Sequence, residues 1–182
     1  CLYAAIFFLF WSPAIHAFHI VGGELTYECL GGSNYRLSLT VYRDCYSTGA
    51  PFDNPAYIFI FTASGTLLNT LSIAMPPGGP QRVNPPDNIC LNTLPDVCVE
   101  TLTYTTIVNL PPISGGYTLV YQRYSRNSTI VNIYNPDQTG SSYTTTIPPA
   151  TLANCNNSPV FNSLPPIVIC AGEPLYVDRS AF

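Results

Sequence analysis

The chain has 182 residues, with six arginines, no lysine and ten acidic residues, and its formal net charge is −4. Charged residues make up only 9% of it and form no basic cluster, which argues against nucleic acid or anionic lipid as a partner. Proline, glycine, serine, threonine, asparagine and tyrosine are abundant. That composition is typical of turn-rich β structure rather than of helices.

The N-terminal residues predict export. Residues 2–11, LYAAIFFLFW, form an apolar run of signal-peptide length that is too short to span a membrane. Ser12-Pro13 breaks the run, and residues 15–17 (IHA) are an acceptable cleavage site. We therefore expect a signal peptide over residues 1–17, truncated at its start. The mature chain is expected to be secreted or displayed at the cell surface, without a membrane span.

The mature chain would begin near His19-Ile20-Val21-Gly22-Gly23, letters that also open activated chymotrypsin-like proteases. Such catalysis needs a histidine base, and after cleavage the mature chain keeps only His19, at its N-terminus. No Gly-Asp-Ser-Gly-Gly occurs, and the absence of lysine excludes a Ser–Lys dyad. These residues instead predict the start of a first strand, with Gly22-Gly23 at a bulge or a close backbone approach.

Alternating apolar and polar residues predict a series of strands. In the second of them Leu37, Leu39 and Val41 alternate with polar side chains, the period-2 pattern of a sheet with one buried face. The first two strands flank GGSN and form a hairpin, whereas the Pro- and Gly-rich residues 76–97 predict a long loop. We predict an all-β fold, an immunoglobulin-like or jelly-roll-type antiparallel β-sandwich of roughly eight strands. The predicted strands are 24–30, 35–45, 57–63, 67–75, 98–110, 116–126, 129–134 and 141–147.

Six cysteines remain after cleavage, an even number that predicts a disulfide framework in an exported protein. Along the predicted hairpin Cys29 and Cys45 are separated by about nine residues at ~3.3 Å each, so a bond between them is not expected. Cys90 and Cys98 flank a loop that a local bond could close. Zinc is not expected, because no Cys-x-x-Cys occurs and one histidine remains. The disulfide candidates are Cys29, Cys45, Cys90, Cys98, Cys155 and Cys170.

Acidic residues offer no clear catalytic or metal site. Glu24 and Glu28 share one strand face but lie about 13 Å apart, beyond the usual separation of glycosidase carboxylates. Asp44, Asp53 and Glu100 complete that candidate set, and solvated strand faces and turns are the preferred interpretation of all five. Calcium is the one metal that the loop aspartates would suit, but no Asp-x-Asp-x-Asp spacing occurs. We therefore expect no enzyme activity, no catalytic residues and no cofactor.

Tyrosine is the most unusual component, with thirteen residues. Exposed on a sheet, tyrosines could form a sugar-stacking platform or a protein interface. Tyr42, Tyr104, Tyr121 and Tyr124 are the candidate ligand-facing aromatics. The preferred alternative is that tyrosine, a good strand former, covers half-buried sheet surface.

Proline and asparagine are concentrated at residues 148–166, which marks a domain boundary. We predict one β-sandwich over residues 18–156 and the beginning of a second, incomplete module over residues 157–182. The alternative is that this tail is the last hairpin of the first domain.

Five segments together carry a family resemblance: HIVGGELTYEC (19–29), YRLSLTVYRDC (35–45), PFDNPAYIFIF (51–61), PDVCVETLTYTTIVNLPPISGGYTLVYQRYSRN (95–127) and NSPVFNSLPPIVICAGEPLYVDRSA (157–181). They resemble the N-terminal region of large exported surface proteins of Bacteroidetes. Those proteins commonly continue into PKD-like or other immunoglobulin-like modules, and many end in a gliding-motility-associated C-terminal domain that directs type IX secretion. One departure is visible, because YQRYSRN (121–127) stands where YQRCCRN is expected. The disulfide pairing of the family is therefore not transferred.

The resemblance implies a non-catalytic extracellular module with a structural, adhesive or presentation role, linked to gliding motility or surface attachment. Extracellular glycans, surface proteins and further domains of the same chain are the expected partners. A different function remains as an alternative, namely a carbohydrate-binding module of a secreted polysaccharide-acting protein.

Overall fold

The computed structural model describes residues 20–47, 49–83 and 98–161, together with positions 172, 174, 176, 180 and 181. Its strands form two four-stranded antiparallel sheets, sheet A in the order β1-β2-β6-β5 and sheet B in the order β4-β3-β7-β8. A short 3-10 turn covers Pro136–Gln138. This confirms the predicted all-β sandwich. The strands are β1 (Ile20–Gly31), β2 (Asn34–Asp44), β3 (Ala56–Thr62), β4 (Leu67–Ile73), β5 (Gln81–Val83), β6 (Val99–Asn109), β7 (Tyr117–Arg123) and β8 (Ser141–Ile147).

The strand order is that of immunoglobulin-like sandwiches. Their first sheet joins strands one, two, five and four of the basic seven, and an additional strand can extend the second sheet beside strand three. Here β4 takes that additional position. Tyr117, at the start of β7, donates its hydroxyl to the carbonyl oxygen of Pro111, the contact known in such folds as a tyrosine corner. Of the two predicted sandwich types, the structure therefore has the immunoglobulin-like one.

The core lies between the sheets and follows the predicted alternation. Leu37, Leu39 and Val41 of β2 are fully buried, as the period-2 pattern predicted. Ile58 and Ile60 of β3 are equally buried in the opposing sheet. Burying each such side chain stabilises the fold by about 1.5–3 kcal/mol. These two layers of apolar side chains therefore hold the sheets packed against each other.

The N-terminal hairpin forms as predicted. β1 begins at Ile20 and turns into β2 through Gly32 and Ser33. The register shifts between Ile20 and Gly22, which is the expected bulge. At Gly23 a Cβ atom would lie 2.8 Å from the carbonyl oxygen of Thr40 and 3.1 Å from the ring of Tyr143. The expected close approach is thus also present, because β1 passes over β8 at this point.

Two segments differ from the predicted strands. The segment 76–97 was predicted as a loop throughout, but Gln81–Val83 form β5 and pair with β6. This prediction was wrong because β6 extends far enough to offer a partner that the local sequence does not reveal. Residues 84–97, including Cys90, lie outside the described residues.

The predicted strand 129–134 is absent, because residues 128–129 form a turn and residues 131–135 form bends. The side-chain oxygen of Asn127 accepts the N–H of Thr129 at 3.1 Å, and its carbonyl oxygen accepts the N–H of Ile130 at 3.2 Å. Val131 is almost fully exposed. The prediction was wrong because these local hydrogen bonds replace a ladder, and β propensity without a partner strand does not make a strand.

Two disulfides clamp the sandwich. Cys45 and Cys98 lie one step beyond the last paired residues of β2 and β6, with their Cα atoms 5.3 Å apart. Cys29 of β1 bonds Cys155, which follows β8, with Cα atoms 5.2 Å apart. The exclusion of a Cys29–Cys45 bond is therefore confirmed. Local closure of Cys90 with Cys98 is wrong, because Cys98 is paired across the sheet, and Cys170 lies outside the described residues.

The segment after Cys155 covers the free edge of β1. Ser158 donates its backbone N–H to the carbonyl oxygen of Tyr27 at 2.9 Å, and its hydroxyl oxygen accepts the N–H of Tyr27 at 2.8 Å. Asn157 accepts the N–H of Cys29 through its side-chain oxygen at 2.8 Å. These contacts attach Asn157 and Ser158, the first residues of the predicted second module, to β1. Of the 26 residues of that module, 16 lie outside the described residues.

We expect Gly116→Ala to lower the free energy of unfolding by about 2–4 kcal/mol, measured by urea denaturation. Gly116 has φ +73° and an added Cβ would overlap the carbonyl oxygen of Ile147. Gly65→Ala is the matched control, because Gly65 has φ +83° and no atom within 4 Å of the added Cβ. Gly65→Ala is expected to cost about 1–2 kcal/mol through backbone strain alone. Equal losses in the two variants would contradict the assigned contact.

Candidate functional site

Four residues, Asp53, Tyr104, Tyr121 and Arg123, form a densely bonded polar group, which we call the Asp53 junction. Tyr104 of β6 donates its hydroxyl to the backbone carbonyl of Asp53 at 2.6 Å, and Tyr121 of β7 donates to the Asp53 carboxylate at 2.6 Å. Arg123 pairs with the other carboxylate oxygen and donates to the carbonyl oxygen of Pro51 at 2.6 Å. Side chains from both sheets thus hold the segment that crosses from β2 to β3.

This arrangement corrects part of the predicted ligand-facing set. Tyr104 and Tyr121 are only 1% and 2% exposed, so their rings fill the core and do not present a face to a ligand. Their hydroxyl groups instead donate hydrogen bonds to the backbone carbonyl and the carboxylate of Asp53. The physical reason is that both side chains point from their strands toward the core between the sheets.

Burial also controls the ionisation of these tyrosines. Burial raises the pKa of Tyr104 to about 12, with the negative charge of Asp53 adding to the effect and Arg123 opposing it. Burial, and after it the hydrogen bond and charge of Asp53, raise the pKa of Tyr121 above its ordinary value. Both hydroxyls therefore remain neutral donors at ordinary pH, which is what their bonds to Asp53 require.

The other two candidate aromatics lie elsewhere. Tyr42 lies on the outer face of sheet A, opposite Gly22 on one side and Thr101 on the other, and burial raises its pKa, with Glu24 adding to the effect. Tyr124 follows the end of β7 and is 64% exposed. Since one belongs to sheet A and the other follows a strand of sheet B, the structure does not join the four tyrosines into one platform.

Four of the five candidate carboxylates, those of Glu28, Asp44, Asp53 and Glu100, have intramolecular partners. Glu28 pairs with Arg36 on the surface, and Glu100 pairs with Arg43, which is largely buried. The two carboxylate oxygens of Asp44 accept the N–H of Tyr46 at 2.9 Å and the side-chain amide of Asn127 at 3.3 Å. Within the described part of the chain, no group of three or more His, Cys, Asp or Glu side chains is placed to hold a metal ion.

A small cleft lies beside the Cys29–Cys155 bond. It has a volume of about 170 Å³ and is lined by Tyr35, Ile113, Pro149 and neighbouring backbone. Typical small-molecule pockets occupy about 300–1,000 Å³ and bring polar groups together. No charged side chain lines this cleft. Its size and lining favour a packing gap between the turn of the β1–β2 hairpin and the segment after β8.

A row of aromatic side chains lies on the outer face of sheet B. Tyr57, Phe59 and Phe61 alternate along β3 with the buried Ile58 and Ile60, so they share the face turned away from the core. Two residues along a strand cover about 6.6 Å, which sets the spacing of the rings. Tyr57 is half-exposed and the phenylalanines are partly buried. We call these three residues the β3 aromatic row.

Sequence reasoning missed the β3 aromatic row, although its signal is present in AYIFIFT. The segment was recognised as a strand, but its two alternating sets were both apolar. Periodicity therefore did not reveal which set faces the solvent. Only the packing of Ile58 and Ile60 into the core against the opposite sheet settles that question.

The described residues contain no helix that is long and apolar enough to cross a membrane. Comparison of the chain with protein-family models, with curated proteins and with solved structures found no match.

We expect Asp53→Asn to lower the free energy of unfolding by about 2–4 kcal/mol, because the largely buried Arg123 guanidinium would lose the negative charge of Asp53 beside it. The Arg123 side chain is only 8% exposed. Glu28→Gln is the matched control, since it removes an Arg–carboxylate pair on the surface and is expected to cost less than about 1 kcal/mol. Urea denaturation of both variants measures the difference. Similar losses would show that burial of Arg123 does not strengthen its pairing with Asp53.

We expect the protein to lose stability as the pH rises above about 10. Unfolded tyrosines ionise near pH 10, whereas Tyr104 in the folded state has a pKa of about 12. Between these values the folded state holds protons that the unfolded state has released, so the free energy of unfolding falls with pH. Urea titrations across this range measure the slope. A free energy that stays constant through the range would contradict the burial of these hydroxyls.

Proposed function

We propose that this chain is a non-catalytic extracellular β-sandwich module of a secreted or surface-attached bacterial protein, with a structural, adhesive or presentation role. The observation that carries the proposal is the pair of disulfides, Cys45–Cys98 and Cys29–Cys155. Disulfides persist in oxidising compartments and are rare in the cytosol. The apolar N-terminal segment, residues 2–11, supports the same location.

The placement of the second disulfide suits a module within a longer chain. Cys155 lies after the last strand, and its bond to Cys29 attaches the following chain covalently to β1. Ser158 and Asn157 continue this attachment through hydrogen bonds to β1. Tension arriving from the C-terminal side would therefore act on β1 and its long ladder with β2, and β8 would not be peeled from the edge of sheet B.

The bonding of the charged groups supports a non-catalytic role. Glu28, Glu100 and Asp53 are each paired with an arginine, and Asp44 is held by two hydrogen bonds. Each of these four carboxylates therefore has a structural partner within the fold. The link to gliding motility and type IX secretion rests on the sequence resemblance alone.

The proposal is tested in cells that express the full open reading frame with an epitope in this module. We expect antibody and added protease to reach the module on intact cells. Cys29, Cys45, Cys98 and Cys155 should resist a maleimide reagent until reductant is added, and peptide mapping should recover the two bonds described above. A module protected from protease in intact cells, or reactive thiols at these four positions, would refute an extracellular location.

The β3 aromatic row keeps a carbohydrate-binding module as the second candidate function. Stacking of sugar rings on exposed aromatic side chains requires such a row on an accessible sheet face. A glycan-array screen of the full chain tests it, with Tyr57→Ala as the disrupting variant. Tyr124→Ala is the control, because Tyr124 is an exposed tyrosine outside the row. Binding that Tyr57→Ala abolishes and Tyr124→Ala retains would establish this function, and an array without signal would reject it.

A further inference from the structure

The shortest covalent route through this module runs along a single strand. The chain enters β1 at Ile20, which is buried and whose carbonyl oxygen accepts the N–H of Asn127 at 3.0 Å. Near the other end of β1, Cys29 is bonded to Cys155, which follows β8. The route from one side of the module to the other therefore consists of β1 and this bond, and it bypasses residues 30–154.

The bypassed loop contains nearly the whole sandwich. Cys29 and Cys155 are 126 residues apart in the sequence, and the loop between them includes β2 to β8. The second disulfide, Cys45–Cys98, lies entirely within this loop. A pull on the two ends of the chain therefore cannot lengthen the loop while the Cys29–Cys155 bond is intact.

β1 itself has little length to give. A strand rises about 3.2–3.4 Å per residue, whereas a fully stretched chain spans at most about 3.6 Å per residue. The stretch from Ile20 to Cys29 would thus lengthen by only a few ångströms under tension. Both points of load also lie on this one strand, so the pull runs along β1 and does not drag it past β2.

The first contacts to yield under tension would be those of the segment after Cys155. Asn157 contacts Cys29 and Ser158 contacts Tyr27, so this segment runs antiparallel to β1, back toward its start. A pull in the opposite direction would detach these few hydrogen bonds, which are individually weak. The load would then act on Cys155, and the disulfide would transfer it directly to Cys29.

We propose that this module is an inextensible link, which transmits tension through β1 and the Cys29–Cys155 bond and leaves the rest of the sandwich unloaded. The inference rests on the surface role proposed above, because a chain held at the cell surface on one side and by a partner on the other is under tension. Sheet B, with the β3 aromatic row, lies wholly within the bypassed loop. Its outer face would therefore keep its folded geometry while the chain is pulled.

Single-molecule force spectroscopy of the chain from residue 18 onward, held between two reference domains, tests the link. Every protein in the series carries Cys90→Ser and Cys170→Ser, so that only the bonds Cys29–Cys155 and Cys45–Cys98 contribute. For this parent protein we expect no length gain from the bypassed loop at forces that unfold the reference domains. Removal of the Cys45–Cys98 bond by two alanine substitutions is the matched control, and it should add no length because that bond lies inside the loop.

Cys29→Ala with Cys155→Ala opens the loop. The remaining Cys45–Cys98 bond still closes 53 of the 126 residues, so about 73 residues become extensible. At ~3.3–3.6 Å per residue, the fully stretched chain should be roughly 250 Å longer than the parent. This final length is reached whether or not the variant folds. A parent that releases the same length, a control that lengthens, or an opened loop that adds nothing would overturn the proposal.

A buried thiol shows whether the sandwich stays folded under load. Ser141 of β8 is 4% exposed, so Ser141→Cys should resist a maleimide dye in the folded protein. With the loop closed, we expect the thiol to stay unlabelled while the molecule is held under force, and labelling there would refute an unloaded sandwich. Both measurements use purified protein, so they are decided separately from the test of cell-surface location.

Discussion

The Asp53 carboxylate is the constraint on which the arrangement of the two sheets depends. It accepts a hydrogen bond from Tyr121 and pairs with Arg123, both from sheet B. The backbone carbonyl of Asp53 accepts a hydrogen bond from Tyr104 of sheet A. The crossing segment between β2 and β3 is thereby fixed from both sides. The Arg123 side chain is nearly buried, so the negative charge of Asp53 beside it offsets the cost of burying the guanidinium. Asp53 is a loop residue, yet it determines how the strands on either side of the crossing are positioned.

The edges of the sandwich show how a protein with few charges limits unwanted pairing. Only 9% of the residues are charged, so lysine-rich edges are not available to this chain. It uses covalent and hydrogen-bonded cover instead, with Cys155 and Ser158 held along β1. β4 instead has a register irregularity at Leu68, and a β-bulge of this kind is a further device that limits pairing at a sheet edge.

The predicted fold succeeded where the pattern was local and failed where a partner decided the outcome. The alternation of Leu37, Leu39 and Val41 with polar residues correctly predicted the buried face of β2. The glycine-rich turn at Gly32-Ser33 correctly predicted the hairpin. In contrast, TIVNIY has a strand-like composition, but the hydrogen bonds around Asn127 leave it in turns. Gln81–Val83 form a strand only because β6 supplies a neighbour. Propensity is a weak guide in β structure because the stabilising contacts come from other strands.

The sequence by itself determined the all-β class, the β1–β2 hairpin with its glycine bulge and the exclusion of a Cys29–Cys45 bond. Each of these follows from spacing along one strand or between two adjacent ones. The tertiary structure alone decided that Tyr104 and Tyr121 are core residues, that Cys98 pairs with Cys45, and that the β3 aromatic row faces outward. These outcomes depend on contacts between residues far apart in the chain. A period-2 pattern defines two faces of a strand, but only packing against the opposite sheet selects the face that is buried.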